Sequence, residues 1–248
     1  MSPTNAQEDI QPLTQRVGDL NRYLIDLKGY LVVSDALSKN EVDSLNQVID
    51  EQLLPPPTTY NRFGTAPLGS GFLGWHPAFV ALIDHANVID LLQFLLGPSF
   101  TLRAIYGIYE ERFAGKPIGG GLSSNSIPGT ETELSCTVVW NLTDTGRGIG
   151  GLCCVDGSHH LRRDLPVSIQ AEAHMSPLVV TPDASSGTAI IYTSRLVHGN
   201  GSWLGPHQRR SLFFEYATTH EGDLQQAIDV PSFPLSRRQH AILGHSNK

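Results

Sequence analysis

The stretch that decides the fold is IIYTSRLVHGNGSWLGPHQRRSLFFEY, residues 190–216. Two runs rich in β-branched and aromatic residues flank a segment of Gly, Asn, Ser and Pro, the pattern of two strands joined by a turn-rich connection. Extended upstream as GTAIIYTSRLVHGNGSW, residues 187–203, the first run reads as a strand that delivers His198 at its end. Eleven residues further on, Arg209 and Arg210 open the next strand. A hairpin of this length brings an imidazole and a guanidinium to one mouth. An imidazole titrates near neutrality, and a guanidinium fork suits a carboxylate.

Working outward, the same texture runs from Phe100. FTLRAIYGIYEERF, LSCTVVWNL, GLCCV, PLVV, GTAIIYT and RSLFFEYA are short strand-like runs punctuated by Gly, Pro, Asp and Ser. Several such strands with turn signals between them predict a sandwich or jelly roll. The chain before them reads as mainly helical. Leu13, Val17, Leu20, Leu24 and Leu27 recur at helical spacing, with Gly29 as a stop. A short strand, GYLVV, follows. Ser38 and Glu41 then stand in capping-box register ahead of Val42, Leu45, Ile49 and Leu53, and Pro55 to Pro57 end that helix. A helical pair covers HPAFVALIDHANVIDLLQFLLG, residues 76–97. After Tyr216 the sequence predicts loops and a short helix near DLQQAID. The fold class is therefore mostly β with N-terminal helices (α+β). We expect one domain over 1–248, with 1–98 as helical support, 99–218 as the jelly-roll core and 219–248 as a C-terminal extension.

Composition narrows the function. Of 248 residues, 40% are hydrophobic and 17% charged, as in ordinary globular proteins, and the net charge is −7. An acidic chain whose paired arginines (Arg162–Arg163, Arg209–Arg210, Arg237–Arg238) are scattered offers no face for nucleic acid. Apolar runs fall short of the roughly 20 residues that a membrane span needs. MSPTNAQEDIQPL, at the start, is too polar and acidic for a signal or transit peptide. Three cysteines, Cys136, Cys153 and Cys154, form no disulfide framework, and predict a reducing, cytoplasmic setting. The expected partner is a small organic molecule, with no nucleic acid and no membrane span; a homodimer is left open.

Three segments in order resemble the phytanoyl-CoA dioxygenase-like branch of the iron(II)/2-oxoglutarate oxygenases. GYLVVSDALSKNEVDSLNQVID is similar to the family's opening strand and helix. VVWNLTDTGRGIGGLCCVDGSHH resembles its tryptophan strand, turn and P-G-S-H element, with Asp156 in place of the proline. LVHGNGSWLGPHQRRSLFFEY resembles the distal-histidine strand and the arginine that grips the co-substrate. The resemblance implies a double-stranded β-helix.

It also implies a metal held by two histidines and a carboxylate, the early pair spaced His-x-Asp. His198 matches the distal histidine. The early pair should lie just after FAGKPIGGG, where IGGGLSSNSIPG, residues 118–129, carries Ser123 at the histidine position and Asn125 at the carboxylate position. About seventy residues separate this place from His198, as the family has it. A serine hydroxyl and a carboxamide supply neither anion nor good nitrogen donor, so iron affinity falls by orders of magnitude. A rebuilt site could recruit Glu131 or Glu133 as carboxylate, and His159, His160, His76 or His85 as second nitrogen.

With the metal absent, His198 becomes a general acid or base, and Arg209 binds a carboxylate or stabilises an enolate-like oxyanion. Tyr106, Tyr109, Tyr192 and Trp203, with Ser123 and Asn125, are the expected substrate-binding side chains. The leading expectation is a cofactor-free tailoring enzyme for a natural-product-like molecule, catalysing an isomerisation, cyclisation, elimination or pericyclic step. The alternatives are an Fe(II)/2-oxoglutarate hydroxylase or desaturase with non-standard ligands, and a non-catalytic ligand-binding protein. Blander readings suit the remaining polar residues. His159 and His160 touch backbone at a turn, Asp144 and Asp156 form turns, and GRGIGG is a hairpin connection rather than a phosphate loop.

Overall fold

Alternation along RSLFFEYA sorts one strand into two faces. Leu212, Phe214 and Tyr216 enter a core shared with the helices, whereas Phe213 enters a second core on the opposite face. By the same parity Arg209, Ser211 and Glu215 share the face of Phe213. The computed structural model describes residues 13–52, 54, 61–67, 69–112, 122, 135–161, 166, 176–218 and 228–245.

The strands are β1 (Tyr30–Val33), β2 (Asn61–Ala66), β3 (Phe100–Glu110), β4 (Ser135–Asn141), β5 (Gly151–Cys154), β6 (Ala189–Thr193), β7 (His198–Gly201) and β8 (Arg209–Thr218). Six form an antiparallel sheet in the order β1-β6-β4-β8-β3-β2, and β5 pairs with β7 in a second, two-stranded sheet. The helices are α1 (Leu13–Lys28), α2 (Lys39–Glu51), α3 (Pro77–Val80), α4 (Ala86–Leu96) and α5 (Arg237–Ile242). Helices and the large sheet share the first core, with Trp140, Phe72, Phe79, Phe214 and Tyr216 fully buried in it. Burying each such side chain contributes roughly 1.5–3 kcal/mol. The second core fills the space between the sheets, where Tyr106, Val139, Ile190, Tyr192 and Phe213 meet Leu152 and Cys154 of β5. This is the mostly β, helix-flanked double-stranded β-helix that the sequence predicts.

Local sequence explains the supports. Ser38 and Glu41 close the capping box of α2, whose Val42, Leu45, Val48 and Ile49 are buried. Gly29 and Gly97 end α1 and α4 with positive φ. Tyr216 reaches through the first core to donate its hydroxyl proton to the Ile83 carbonyl at 2.9 Å.

Four expectations change. His198 does not end the strand that begins at Ala189. β6 stops at Thr193, a turn closed by Leu196 N–H to Thr193 C=O at 3.0 Å follows, and His198 opens β7 in the other sheet. PLVV makes a single bridge, Val180 to Cys154, rather than a strand. The first hundred residues are not all helix beyond β1, because Asn61–Ala66 pairs with β3. The described part of the α1 stripe is only partly buried: Leu24 packs against the first core and Leu20 and Leu27 are half exposed, while Ile25, outside the stripe, is buried. The terminal extension carries α5, which the sequence reading did not anticipate, and most of DLQQAID lies outside the described residues, as does Leu53 with the three prolines. Among the described residues no helix is long and apolar enough to cross a membrane.

Candidate active site between the two sheets

β7 places His198 opposite Cys154, on the face that looks into the second core. Its ring lies 4.4 Å from that of Tyr192, and its Nδ1 lies 2.7 Å from the Leu196 carbonyl. A carbonyl only accepts, so Nδ1 carries the proton and Nε2 the lone pair. Desolvation lowers the pKa of the imidazole, the bond to Leu196 opposing it. His198 is thus neutral near pH 7, with its basic atom fixed by the backbone.

The turn before β7 is held by the segment that resembles P-G-S-H. Gly157 adopts a left-handed conformation, Ser158 Oγ accepts from Val197 N–H at 2.8 Å, and Tyr30 bonds the Asp156 carboxylate. Gly157 is used because the turn requires φ of 71°. His159 and His160 both reach the Asp26 carbonyl, each at 2.8 Å, and Asp144 accepts from Ser186 N–H. The Gly146–Gly150 bridge makes GRGIGG a hairpin connection.

Two residues beyond His198 on β7, Asn200 reaches Arg209. The Arg209 side chain is completely buried: Nη1 donates to Glu110 at 2.7 Å and Nη2 to the Asn200 Oδ1 at 2.9 Å. Glu110 and Arg209 are direct cross-strand partners at the end of the β3–β8 ladder. Among the described residues the Arg209 Nε finds no hydrogen-bond partner.

Of the other predicted site residues, Tyr106 and Tyr192 join His198 in the second core. Tyr106 stacks on Phe213 at 4.7 Å and lies under the Arg62 guanidinium at 4.0 Å. Tyr109, three positions along the same strand, belongs to the first core against Phe63. Trp203 donates from Nε1 to the His207 carbonyl beside the turn at Gly150. His76 and His85 cap α3 and α4, where His85 meets the first-core face of Trp140 and reaches towards Glu41. Ser123, Asn125, Glu131 and Glu133 lie outside the described residues.

Sequence reasoning missed Glu110, Asn200, Arg62 and Glu215. Glu215 sits in a cross-strand row, Tyr30–Tyr192–Thr137–Glu215–Ala104, that spans five strands. Burial raises its pKa, with Arg62 acting against that. The signal was present in the alternation of β8, since a glutamate in phase with Phe213 faces the interior. For Glu110 it was only the ladder register, which no local pattern reveals.

An acid and a base whose environments push them towards their neutral forms therefore line one interior. The chain matches the model of the phytanoyl-CoA dioxygenase family (PhyH) over residues 25–211, and it belongs to that family. No curated protein sequence matches it significantly. Among solved structures it is similar to HygX from Streptomyces hygroscopicus, determined with nickel, 2-oxoglutarate and hygromycin B bound. That likeness has TM-score 0.65 and 19% identity, covering 81% of this chain and 87% of that one. It is also similar to SnoN, a non-heme alpha ketoglutarate dependent epimerase from nogalamycin biosynthesis, at TM-score 0.62 and 18% identity, over 90% and 92% of the two chains. The carbocyclase SnoK from the same biosynthesis aligns with TM-score 0.59 and 17% identity, over 80% and 83%. The family is one of enzymes, and these neighbours share its fold.

The family implies iron and 2-oxoglutarate. Among the described residues no group of three His, Cys, Asp or Glu side chains is placed to hold a metal ion, and the segment aligned with the early ligand pair is not among them. His198 offers one nitrogen. Ser123 and Asn125, expected from the sequence at the other two ligand positions, lie outside the described residues. The guanidinium that the family offers to 2-oxoglutarate already holds a carboxylate of this chain. The described residues thus offer one histidine nitrogen and an arginine already paired with Glu110, and no step is routed through either group.

Proposed function

We propose that the chain is a small-molecule tailoring enzyme that catalyses a non-oxidative step, an isomerisation, cyclisation, elimination or pericyclic reaction, on a natural-product-like substrate. The observation that carries this reading is the fixed tautomer of His198: Nδ1–H is spent on Leu196, and Nε2 is left as a neutral base inside the barrel. Glu215, kept towards its protonated form on the facing sheet, supplies the complementary acid. A substrate lying along the Tyr192–Thr137–Glu215 row can lose a proton to His198 Nε2 and gain one from Glu215, so that its mass is unchanged. Tyr106 on Phe213 provides a flat apolar wall for an unsaturated or aromatic framework. Arg209 acts from behind, by fixing Asn200 and so the strand that carries His198. The setting is cytoplasmic, an inference supported by three unpaired, buried thiols.

The test is turnover of a library of polyketide-like and aminoglycoside-like molecules by purified protein in excess chelator, read by mass spectrometry. A product isomeric with its substrate is expected, and His198→Ala should slow it by about 10²–10⁴-fold, the usual contribution of one positioned acid–base group. Turnover that needs added iron and 2-oxoglutarate, and releases succinate, overturns the proposal. It would favour the second reading, an oxygenase in which Glu131 or Glu133 joins His198 at iron, which the metal- and 2-oxoglutarate-bound neighbours support. Binding without turnover in any condition would mark a ligand-binding protein instead.

A further inference from the structure

We infer that Glu110 is a built-in occupant of the carboxylate slot at Arg209, so that the chain excludes 2-oxoglutarate and any other free carboxylate from that slot. A guanidinium holds a carboxylate by parallel N–H donors, and here Nη1 gives one N–H to Glu110 and Nη2 gives one to Asn200, so the terminal edge of the fork is already shared between two residues of this chain. Both members of the ion pair are out of solvent, with side-chain exposures of 0% for Arg209 and 6% for Glu110. A second carboxylate taking the Nη1 position would have to displace Glu110 and bury it unpaired, which is strongly unfavourable. Glu110 reaches this place because its strand pairs with β8 in a register that sets it opposite Arg209.

This inference goes beyond the proposed reaction: it stands if the chain binds ligand without turnover, whereas turnover dependent on 2-oxoglutarate would overturn both. It is tested by binding rather than turnover. Wild-type protein titrated calorimetrically with 2-oxoglutarate, with and without iron(II), should show no saturable binding tighter than about 1 mM. Glu110→Ala should open the slot. Acetate should then raise its melting temperature relative to chloride at equal ionic strength, because an anion held by the native state stabilises it, while leaving the wild type unmoved. If Glu110→Ala folds only with a ligand, its soluble yield on refolding in acetate against chloride replaces the melting temperature. Micromolar binding of 2-oxoglutarate to the wild type, or equal responses of variant and wild type to acetate, overturns the inference.

Discussion

His198 owes its expected behaviour to two neighbours that hold it in one state: the Leu196 carbonyl fixes its proton and burial keeps the ring neutral. The consequence for pH follows from the direction of the shift. Above its ordinary value of about 6.5, both folded and unfolded imidazoles are neutral. As pH falls below that value the unfolded ring takes up a proton that the folded ring resists, so stability drops until pH passes the folded pKa. His159 is shifted the same way, chiefly by burial, while the raised Glu215 acts in the opposite sense from about 4.5 upward. Urea unfolding from about pH 7.5 to pH 5.5 should therefore show the wild type losing stability relative to His198→Asn, which lacks the titrating ring. Equal pH dependence of the two would show that burial leaves the imidazole unshifted. The reaction itself should keep its rate to below about pH 6.5, because the base stays unprotonated there.

At the scale of elements, β3 is fixed from both sides. Gly107 in its middle faces the Phe63 ring of β2, and a Cβ built there would fall within that ring. Gly107→Ala should therefore displace Phe63 from its contacts with Phe72, Trp75 and Tyr109 and cost about 1–3 kcal/mol, the usual penalty of overpacking. Chemical denaturation measures it, and adding Phe63→Leu should recover part of the loss; additive losses would show that the ring is not what the methyl meets. The end of the same strand holds Glu110, and removing one partner of its buried ion pair should cost about 3–5 kcal/mol. Replacing both by Glu110→Leu and Arg209→Met should cost much less, as a denaturation cycle would read. Helix caps and strand textures were legible because they are local: Ser38 with Glu41, Gly29, Gly97 and the alternation of β8 each act over a few residues. The break between β6 and β7 was not, because Tyr192 to His198 contains no Gly or Pro to mark the end of a strand. Only the pairing of β6 with β4, and of β7 with β5, sends the two halves to different sheets.

Over the whole molecule, the family and the double-stranded β-helix were readable from motif order, and the chain matches that family over residues 25–211. The interior was less so. A sequence names a histidine and an arginine at the right spacing, but not that the arginine meets Glu110, ninety-nine positions away, through a register set across two strands. Nor does it distinguish Tyr106, in the space between the sheets, from Tyr109 against the helices, until strand parity is applied over the length of β3. Tertiary pairing decides these points.

The three thiols give a way to watch this architecture move. Each is inside, and loss of water around them pushes the Cys153 thiol up to about 11 and raises Cys136 and Cys154 as well. The thiolate anion is what attacks an alkylating reagent, so the closed form should be inert at neutral pH. Cys136 lies in the core beneath the helices and Cys153 in the small cluster with Leu122 and Val197 outside the β5–β7 ribbon. Modification followed peptide by peptide should then act as two clocks, Cys153 reporting detachment of the ribbon and Cys136 only the loss of the entire structure. Identical labelling times for both would mean that the two sheets part in a single concerted event.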